Sequence, residues 1–194
     1  RIVGFQIFSY DFDSVVKSIE IVKQLNHETK VLIGGAHVSA TSALALEEIK
    51  QADYGFVGEG EIGLPMLAGR LLRDEQIPLE NIPGLIWREN SSIRENARTG
   101  VEDLDSLGFQ PWDLMPPASY PDNPQGGFYK RFPIAPISTT RGCPYLCTFC
   151  GSGVNMGHKL RFRSIDHVLD EMVMLRNDYG VGEFHIIDDM FNFY

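Results

Sequence analysis

The chain has 194 residues, 43% of them hydrophobic and 11% aromatic, enough apolar surface for one large domain or two small ones. A net charge of −9 argues against general affinity for nucleic acid or anionic membrane surfaces. No run reaches membrane-spanning length and the start, Arg1-Ile2-Val3-Gly4, is not a signal peptide, so the expected location is the cytoplasm.

The chain opens without an initiator Met, directly on the apolar run Ile2–Phe8, which has buried-strand length. That opening predicts a chain cut from something longer. Val15, Ile19, Val22 and Leu25 then recur at helical spacing, with Asp13 or Ser14 as N-cap. Val31-Leu32-Ile33 predicts a second buried strand halted by Gly34-Gly35, and Thr41 or Ser42 caps a helix that runs to about Lys50. Tyr54–Val57 predicts a third strand, closed by Gly58-Glu59-Gly60-Glu61. A helix follows with Leu64, Leu67 and Leu71 on one face and Pro65 in its first turn. Three strand–helix alternations predict a parallel, doubly wound sheet.

From Ile82 the pattern changes. Gly84–Trp87 and Ser92–Arg94 flank the polar turn Glu89-Asn90-Ser91 and read as a hairpin. Leu104–Leu114 runs into Pro116, Pro117, Pro121 and Pro124, the composition of an extended connector rather than a packed element. Ile134–Thr139 predicts a strand. Ser164 caps a helix with Ile165, Val168, Leu169, Met172 and Leu175 on one stripe, and Gly180 ends it. Met172 and Met174 read as helix packing. Glu183–Ile187 predicts a last strand, ending in Asp188-Asp189.

All three cysteines, Cys143, Cys147 and Cys150, fall within eight residues at C-x3-C-x2-C spacing. One loop cannot bury three thiols against three separate neighbours, but three thiolates converge readily on one soft metal centre. The spacing leaves such a site one ligand short of four, so one iron of a [4Fe-4S] cluster would be open to something other than protein. Gly142 and Pro144 permit a tight loop with backbone N–H groups free to face sulfur. Two other readings stay open. One is a Cys3His zinc site with His158 as fourth ligand, although zinc sites more often set their cysteines in two separated pairs. The other is a disulfide, which leaves one cysteine over.

With Phe149 directly before Cys150, the string C-x3-C-x-aromatic-C resembles the cluster loop of radical S-adenosylmethionine (SAM) enzymes. The resemblance implies that Cys143, Cys147 and Cys150 ligate a [4Fe-4S] cluster and that SAM chelates the fourth iron through its amino and carboxylate groups. It further implies one-electron cleavage of SAM to a 5′-deoxyadenosyl radical, with the protein supplying position and exclusion of water. Phe149 then lies near the adenine. Asp188-Asp189-Met190-Phe191 is similar to the Asp-Asp-x-Phe of the cobalamin-dependent subset, so Asp188 or Asp189 would accept a charge-assisted hydrogen bond from the SAM ammonium. The other reading of that pair is a solvated strand-to-helix turn. Arg161 and Arg163 either approach the SAM carboxylate or face solvent.

Ser9-Tyr10, Gly34-Gly35-Ala36-His37 and Gly58-Glu59-Gly60 fall at strand ends, where open α/β sheets bind ligands. Each glycine taken singly reads as a tight turn. Together, ahead of the cysteine loop, these ends resemble the cobalamin-binding domain that precedes the barrel in many radical SAM enzymes. Ser9 matches the serine at that domain's third strand end, and Gly34-Gly35 the pair after its fourth strand. By that resemblance the chain starts at the third strand. An Asp-x-His-x-x-Gly loop supplying an axial histidine would lie upstream, and no such motif occurs in this sequence. His37 either touches the corrin or its nucleotide tail or is an exposed loop histidine. Glu59 and Glu61 hydrogen-bond a ribose or amide, unless Glu61 serves the start of its own helix. The stretch around Leu104-Asp105-Ser106-Leu107 is similar to the Leu-Asp-x-Leu-Pro-x-Pro connector of the family, with Gly108 where Pro is usual.

The expected architecture is α/β. Residues 1–80 form a partial, flavodoxin-like cobalamin-binding domain, 81–132 a hairpin and proline-rich connector, and 133–194 the start of a truncated radical SAM (β/α) barrel. The resemblance implies an enzyme that uses [4Fe-4S], SAM and cobalamin for methyl transfer, cyclisation or rearrangement, with the piece in hand inactive alone. Its partners would be a small-molecule substrate that nothing here selects and an electron donor of the flavodoxin or ferredoxin class. Two barrel strands leave edges unpaired, so self-association is also expected. Two rival readings are a non-catalytic corrinoid or nucleotide module with structural zinc, and a radical SAM enzyme whose Rossmann-like domain has lost cobalamin.

Overall fold

The computed structural model describes residues 1–121 and 128–193, so Pro124 of the proline-rich run lies outside the described residues. Two units are present: Arg1–Val101 with Tyr145–Gly157, and Glu102–Pro144 with His158–Tyr194.

In the first unit the two-residue period of a strand decides which face each side chain serves. In β2 (Lys30–Gly34), Val31 and Ile33 enter one apolar cluster and Leu32 the other. Burial on both faces is why this strand reads as a continuous apolar run. Strand β1 (Ile2–Gln6) pairs with β2 in parallel, and β2 with β3 (Tyr54–Phe56) in parallel. Helix α1 (Phe12–Leu25) joins β1 to β2 and buries Ile19, while α2 (Ala36–Thr41) and α3 (Ala43–Glu48) bury Val38, Ala45 and Leu46 in the same cluster. Helix α4 (Gly63–Arg73) covers the opposite face through Leu67. Leu67 and Leu85 are fully buried, each worth about 1.5–3 kcal/mol of transfer free energy. The sheet is therefore wound on both faces, and its three parallel strands run in sequence order, as do the last three of a flavodoxin-like sheet.

Several sequence expectations are corrected here. Asp11, not Asp13 or Ser14, stands before α1, and its Oδ1 accepts the Phe8 N–H at 2.9 Å instead of capping the helix. Leu25, expected on the buried stripe, is exposed at the last position of that helix. The stretch after Gly34-Gly35 is not only a loop: α2 begins at Ala36 and carries His37. Ser42 breaks it from α3 with a left-handed φ of 51°. The hairpin is not a part of the connector. Strand β4 (Leu85–Glu89) pairs antiparallel with β3, and β5 (Ser92–Glu95) with β4, making the sheet mixed and five-stranded. The gain is burial: Leu85, Ile86 and Trp87 close the core that the edge of β3 would otherwise leave open.

The second unit is built on a βαβ arrangement, the repeat from which α/β barrels are made. Strands β6 (Ile134–Ile137) and β9 (Glu183–Ile186) pair in parallel, and α6 (Ile165–Tyr179) lies between them in sequence. Ser164 caps α6 by accepting the His167 N–H at 3.2 Å, and Gly180 ends it at φ 65°. The expected apolar stripe is split. Leu175 is buried, with Val168 and Met172 against the core, whereas Ile165 and Leu169 are exposed. Glu171 is the other buried residue of this helix. The proline-rich connector is also partly packed. Leu104 and Trp112 are buried, the latter in the core with Ala135, Ile137 and Leu175. Among the described residues no helix is long and apolar enough to cross a membrane.

Candidate functional site

The three parallel strands of the first unit end side by side, so Ser9, Gly34-Gly35 and Gly58-Glu59-Gly60 gather at one edge. There Ile7 donates to the Gly34 carbonyl at 2.8 Å and His37 N–H to the Ile7 carbonyl at 3.1 Å, which pulls the start of α2 onto the end of β1. Gly35 makes that approach possible. Its φ is 94°, and a Cβ there would lie 2.8 Å from Gln6 Cγ and 3.0 Å from the Ile7 backbone. The glycine thus serves the contact between the protein's own strands, whereas at Gly34 and Gly60 a Cβ would meet nothing nearer than 3.9 Å.

The His37 ring sits over Phe12 with centroids 4.9 Å apart, and its Nδ1 is 3.0 Å from Ser9 Oγ. Its Nε2 is buried and has no hydrogen-bond partner among the described residues. A buried ring nitrogen left unpaired costs free energy. At a sheet edge where ligands bind, it is a polar group that fits one. Glu59 Oε2 accepts the Val101 N–H at 3.2 Å. The Gly58 N–H donates to Ser39 Oγ at 3.0 Å.

The cysteine segment leaves a two-residue ribbon in which β7 (Thr140–Arg141) pairs antiparallel with β8 (Arg161–Phe162). Gly142, with φ 90°, turns the chain out of β7. Cys143 belongs to the second unit and Cys147 and Cys150 to the first. All three thiols are free. Cys147 and Cys150 are exposed, Phe149 is 92% exposed, and the Cys150 N–H returns to the Cys147 carbonyl at 3.1 Å. His158 Nδ1 lies 3.1 Å from the Cys143 carbonyl oxygen. The donor set suits a soft metal centre. Among the described residues, no three His, Cys, Asp or Glu side chains are gathered in metal-holding geometry.

In the second unit Asp188 closes the carboxyl end of β6. It accepts the Thr139 N–H at 2.6 Å, the Thr139 hydroxyl, and the Thr140 N–H at 3.1 Å. Both carboxylate oxygens are thereby engaged, and the root of the cysteine segment is fixed. Asp189 is the exposed member of the pair. Arg163 does not face solvent. Its Nη1 lies 2.7 Å from Glu171 Oε2 and donates to the Ser138 carbonyl at 2.9 Å. Arg161 is buried as well, at 6% exposure.

Sequence reasoning missed α5 (Ser152–Met156), the short helix after the last cysteine, and the residues that meet it. Ser39 Oγ donates to Asn155 Oδ1 at 3.2 Å, and Arg98 Nη1 donates to the Val154 carbonyl. A five-residue helix is too short to announce itself by periodicity, and Arg98 stands in a polar stretch that reads only as loop.

No family model matches the chain. It is 32% identical, over 94% of its length, to an uncharacterized methyltransferase of Pyrococcus horikoshii, spanning 37% of that protein. It is 30% identical, over 97% of its length, to cytidylyl-2-hydroxyethylphosphonate methyltransferase of Streptomyces wedmorensis, spanning 39% of it. The chain thus spans well under half the length of these curated relatives. Among solved structures, it superposes on 26% of the cobalamin-dependent SAM radical enzyme OxsB, which was solved with aqua-cobalamin and SAM bound. That match covers 98% of the chain at a TM-score of 0.78 and 16% identity. The radical SAM methyltransferase TsrM of Kitasatospora setae, solved with cobalamin and a [4Fe-4S] cluster, matches 98% of the chain and 38% of its own, at a TM-score of 0.66 and 22% identity. At these identities the two structures establish a shared fold.

Proposed function

We propose, from the premise that this chain belongs to the radical SAM enzymes that carry a cobalamin-binding domain, that the whole protein cleaves SAM reductively at a [4Fe-4S] cluster to drive methyl transfer. The observation that carries the proposal is the C-x3-C-x2-C segment with three free thiols, launched from the end of a βαβ strand. Methyl transfer is favoured over cyclisation because the three relatives at 30% identity or more are all called methyltransferases.

When bound, the cluster supplies the electron that splits SAM, and cobalamin supplies a carrier for the methyl group. Cys143, Cys147 and Cys150 would hold the cluster as thiolates, their thiols losing a proton each to bind iron. Phe149, exposed beside them, offers a ring face for the adenine. Asp189, the exposed member of the pair, would accept from the SAM ammonium, while Asp188 accepts from Thr139 and Thr140. Asp188 would act indirectly, holding the strand end from which the loop departs. At the other edge, Ser9, His37 and the backbone of Gly34, Gly35, Gly58 and Gly60 would line the cobalamin site. The unpaired Nε2 of His37 is the polar atom best suited to meet that ligand, and Glu59 would support the edge from its bond to Val101. An electron donor of the flavodoxin or ferredoxin class would complete the system.

The test is anaerobic reconstitution with iron and sulfide, followed by EPR of the dithionite-reduced protein with and without SAM. A [4Fe-4S]+ signal that changes on adding SAM is expected, and Cys147→Ala should abolish both signal and bound sulfide. Zinc bound at unit stoichiometry, with no uptake of sulfide, would refute the proposal in favour of a structural metal site.

A further inference from the structure

The geometry points to Ser39, Arg98 and Asn155 as positioning residues that seat the cysteine-bearing segment on the carboxyl ends of β2 and β3. The inference rests on the reading that the cysteines hold a [4Fe-4S] cluster, and it adds what sets their place. Cys147 and Cys150 are exposed, so burial does not fix them. Only Gly151 separates Cys150 from α5, so a fixed α5 fixes the root of the loop.

Helix α5 has five residues and cannot persist alone, because helix nucleation is unfavourable and so short a segment recovers few hydrogen bonds. Among its last carbonyls, that of Gly153 accepts the Gly157 N–H at 3.1 Å, and those after it find no donor within so short a helix. Arg98 answers them: Nη1 donates to the Val154 carbonyl and Nη2 approaches the Gly153 carbonyl at 3.4 Å. A guanidinium at a helix C-terminus also meets the negative end of the dipole. The Arg98 backbone is itself held. The Gly84 N–H donates to the Ala97 carbonyl at 3.1 Å, and the Asn96 side chain donates to the Leu79 and Ile82 carbonyls at 2.7 and 2.8 Å. The clamp therefore stands on a fixed base.

The second attachment runs through Ser39, which is 6% exposed on α2. Its hydroxyl accepts the Gly58 N–H at 3.0 Å and donates to Asn155 Oδ1 at 3.2 Å, so one buried group links the end of β3 to α5. Gly58 has φ 79°, and a Cβ there would lie 3.3 Å from Arg98 Cδ and 3.5 Å from the Asn155 carbonyl oxygen. A glycine at this position lets both attachments close. The edge that gathers Ser9, Gly34-Gly35 and Gly58 thus also carries the segment bearing two of the three cysteines.

Two readouts on the intact chain test this, using Arg98→Met, Arg98→Lys and Asn155→Ala. In the metal-free protein, hydrogen exchange of amides 153–157 should quicken about tenfold in Arg98→Met, the loss expected for a charge-assisted bond. Exchange in α4 should stay unchanged, and Arg98→Lys should recover part of the protection. In the reconstituted protein, Arg98→Met and Asn155→Ala should shift the g values of the reduced cluster, or at least halve its yield, without changing the melting temperature of the first unit. If the wild type assembles the cluster and the variants match it in exchange and EPR, the seating role is overturned and the cluster assignment stands. If the wild type assembles no cluster, that assignment fails. Exchange still decides the seating, supported by the tenfold rise and overturned by none.

Discussion

Glu171 is 1% exposed, and a carboxylate so placed persists only where its partners replace water. It accepts the Trp112 Nε1–H at 2.8 Å and the Gln110 N–H at 3.3 Å, and pairs with Arg163 Nη1 at 2.7 Å. Through these bonds one helix residue ties the connector to β6, where Arg163 also reaches the Ser138 carbonyl. Breaking a buried pair by removing one member strands the other, at a cost of about 3–5 kcal/mol. Glu171→Ala is expected to lose stability on that scale in denaturant unfolding followed by tryptophan fluorescence. The double variant Glu171→Leu with Arg163→Met should lose less than Glu171→Ala, since an apolar replacement leaves no unpaired charge. A double variant as unstable as the single one would show that the pair contributes nothing beyond packing volume.

Helix α6 is held at its start by a second carboxylate, and that hold is sensitive to acid. Asp105 accepts the Ser164 N–H at 3.0 and 3.2 Å through its two oxygens, with His167 Nδ1 3.2 Å away. The Ser164 hydrogen bonds keep its carboxyl below the usual aspartate range. Partial burial works against them, and the charges of His167 and Arg163 reinforce them. A depressed folded-state value gives stability that is present above the ordinary aspartate pKa of about 3.9 and is lost as pH falls through the folded value. The first turn of α6 is therefore expected to lose amide protection on acidification before the rest of the helix. Glu183, lowered chiefly by the Lys130 N–H, titrates in the same direction. Asp105→Asn should thus shallow the acid limb of the unfolding curve without removing it, and an unchanged limb would rule Asp105 out. The ends of this helix were legible in the sequence, because Ser164 and Gly180 are local signals. Its buried face was legible only in part: Val168, Met172 and Leu175 meet the core as their spacing predicts, but Ile165 and Leu169 are exposed, and the core also takes Glu171, through partners 59 and 61 residues away. The same limit governs the rest. The strands of the first unit and the cysteine spacing could be read locally. The pairing of β4 with β3, the burial of Trp112 and the seat of α5 depend on long-range partners that no local pattern encodes.

At the scale of the chain, the second unit carries a parallel pair whose strands gain no third partner among the described residues. A two-stranded ribbon is marginal by itself, and an unpaired strand edge is a template for another chain. Apolar side chains stand at the end of β9 and on α6, the helix before it: Ile186 is 40% exposed, Ile187 60% and Val173 56%. Against association stands the net charge of −9, which repels like copies at low ionic strength. The balance predicts that the chain studied alone self-associates in the micromolar range, and more strongly as salt rises, because screening removes the repulsion and leaves the apolar contact intact. Ile187→Lys should weaken it by charging the edge. Leu72→Lys, on an exposed position of the first unit, should not. Light scattering across a dilution series at low and high salt separates the cases. A monomer at every concentration and salt would mean the edge is not sticky, and association that weakens with salt would assign it to charge pairing instead.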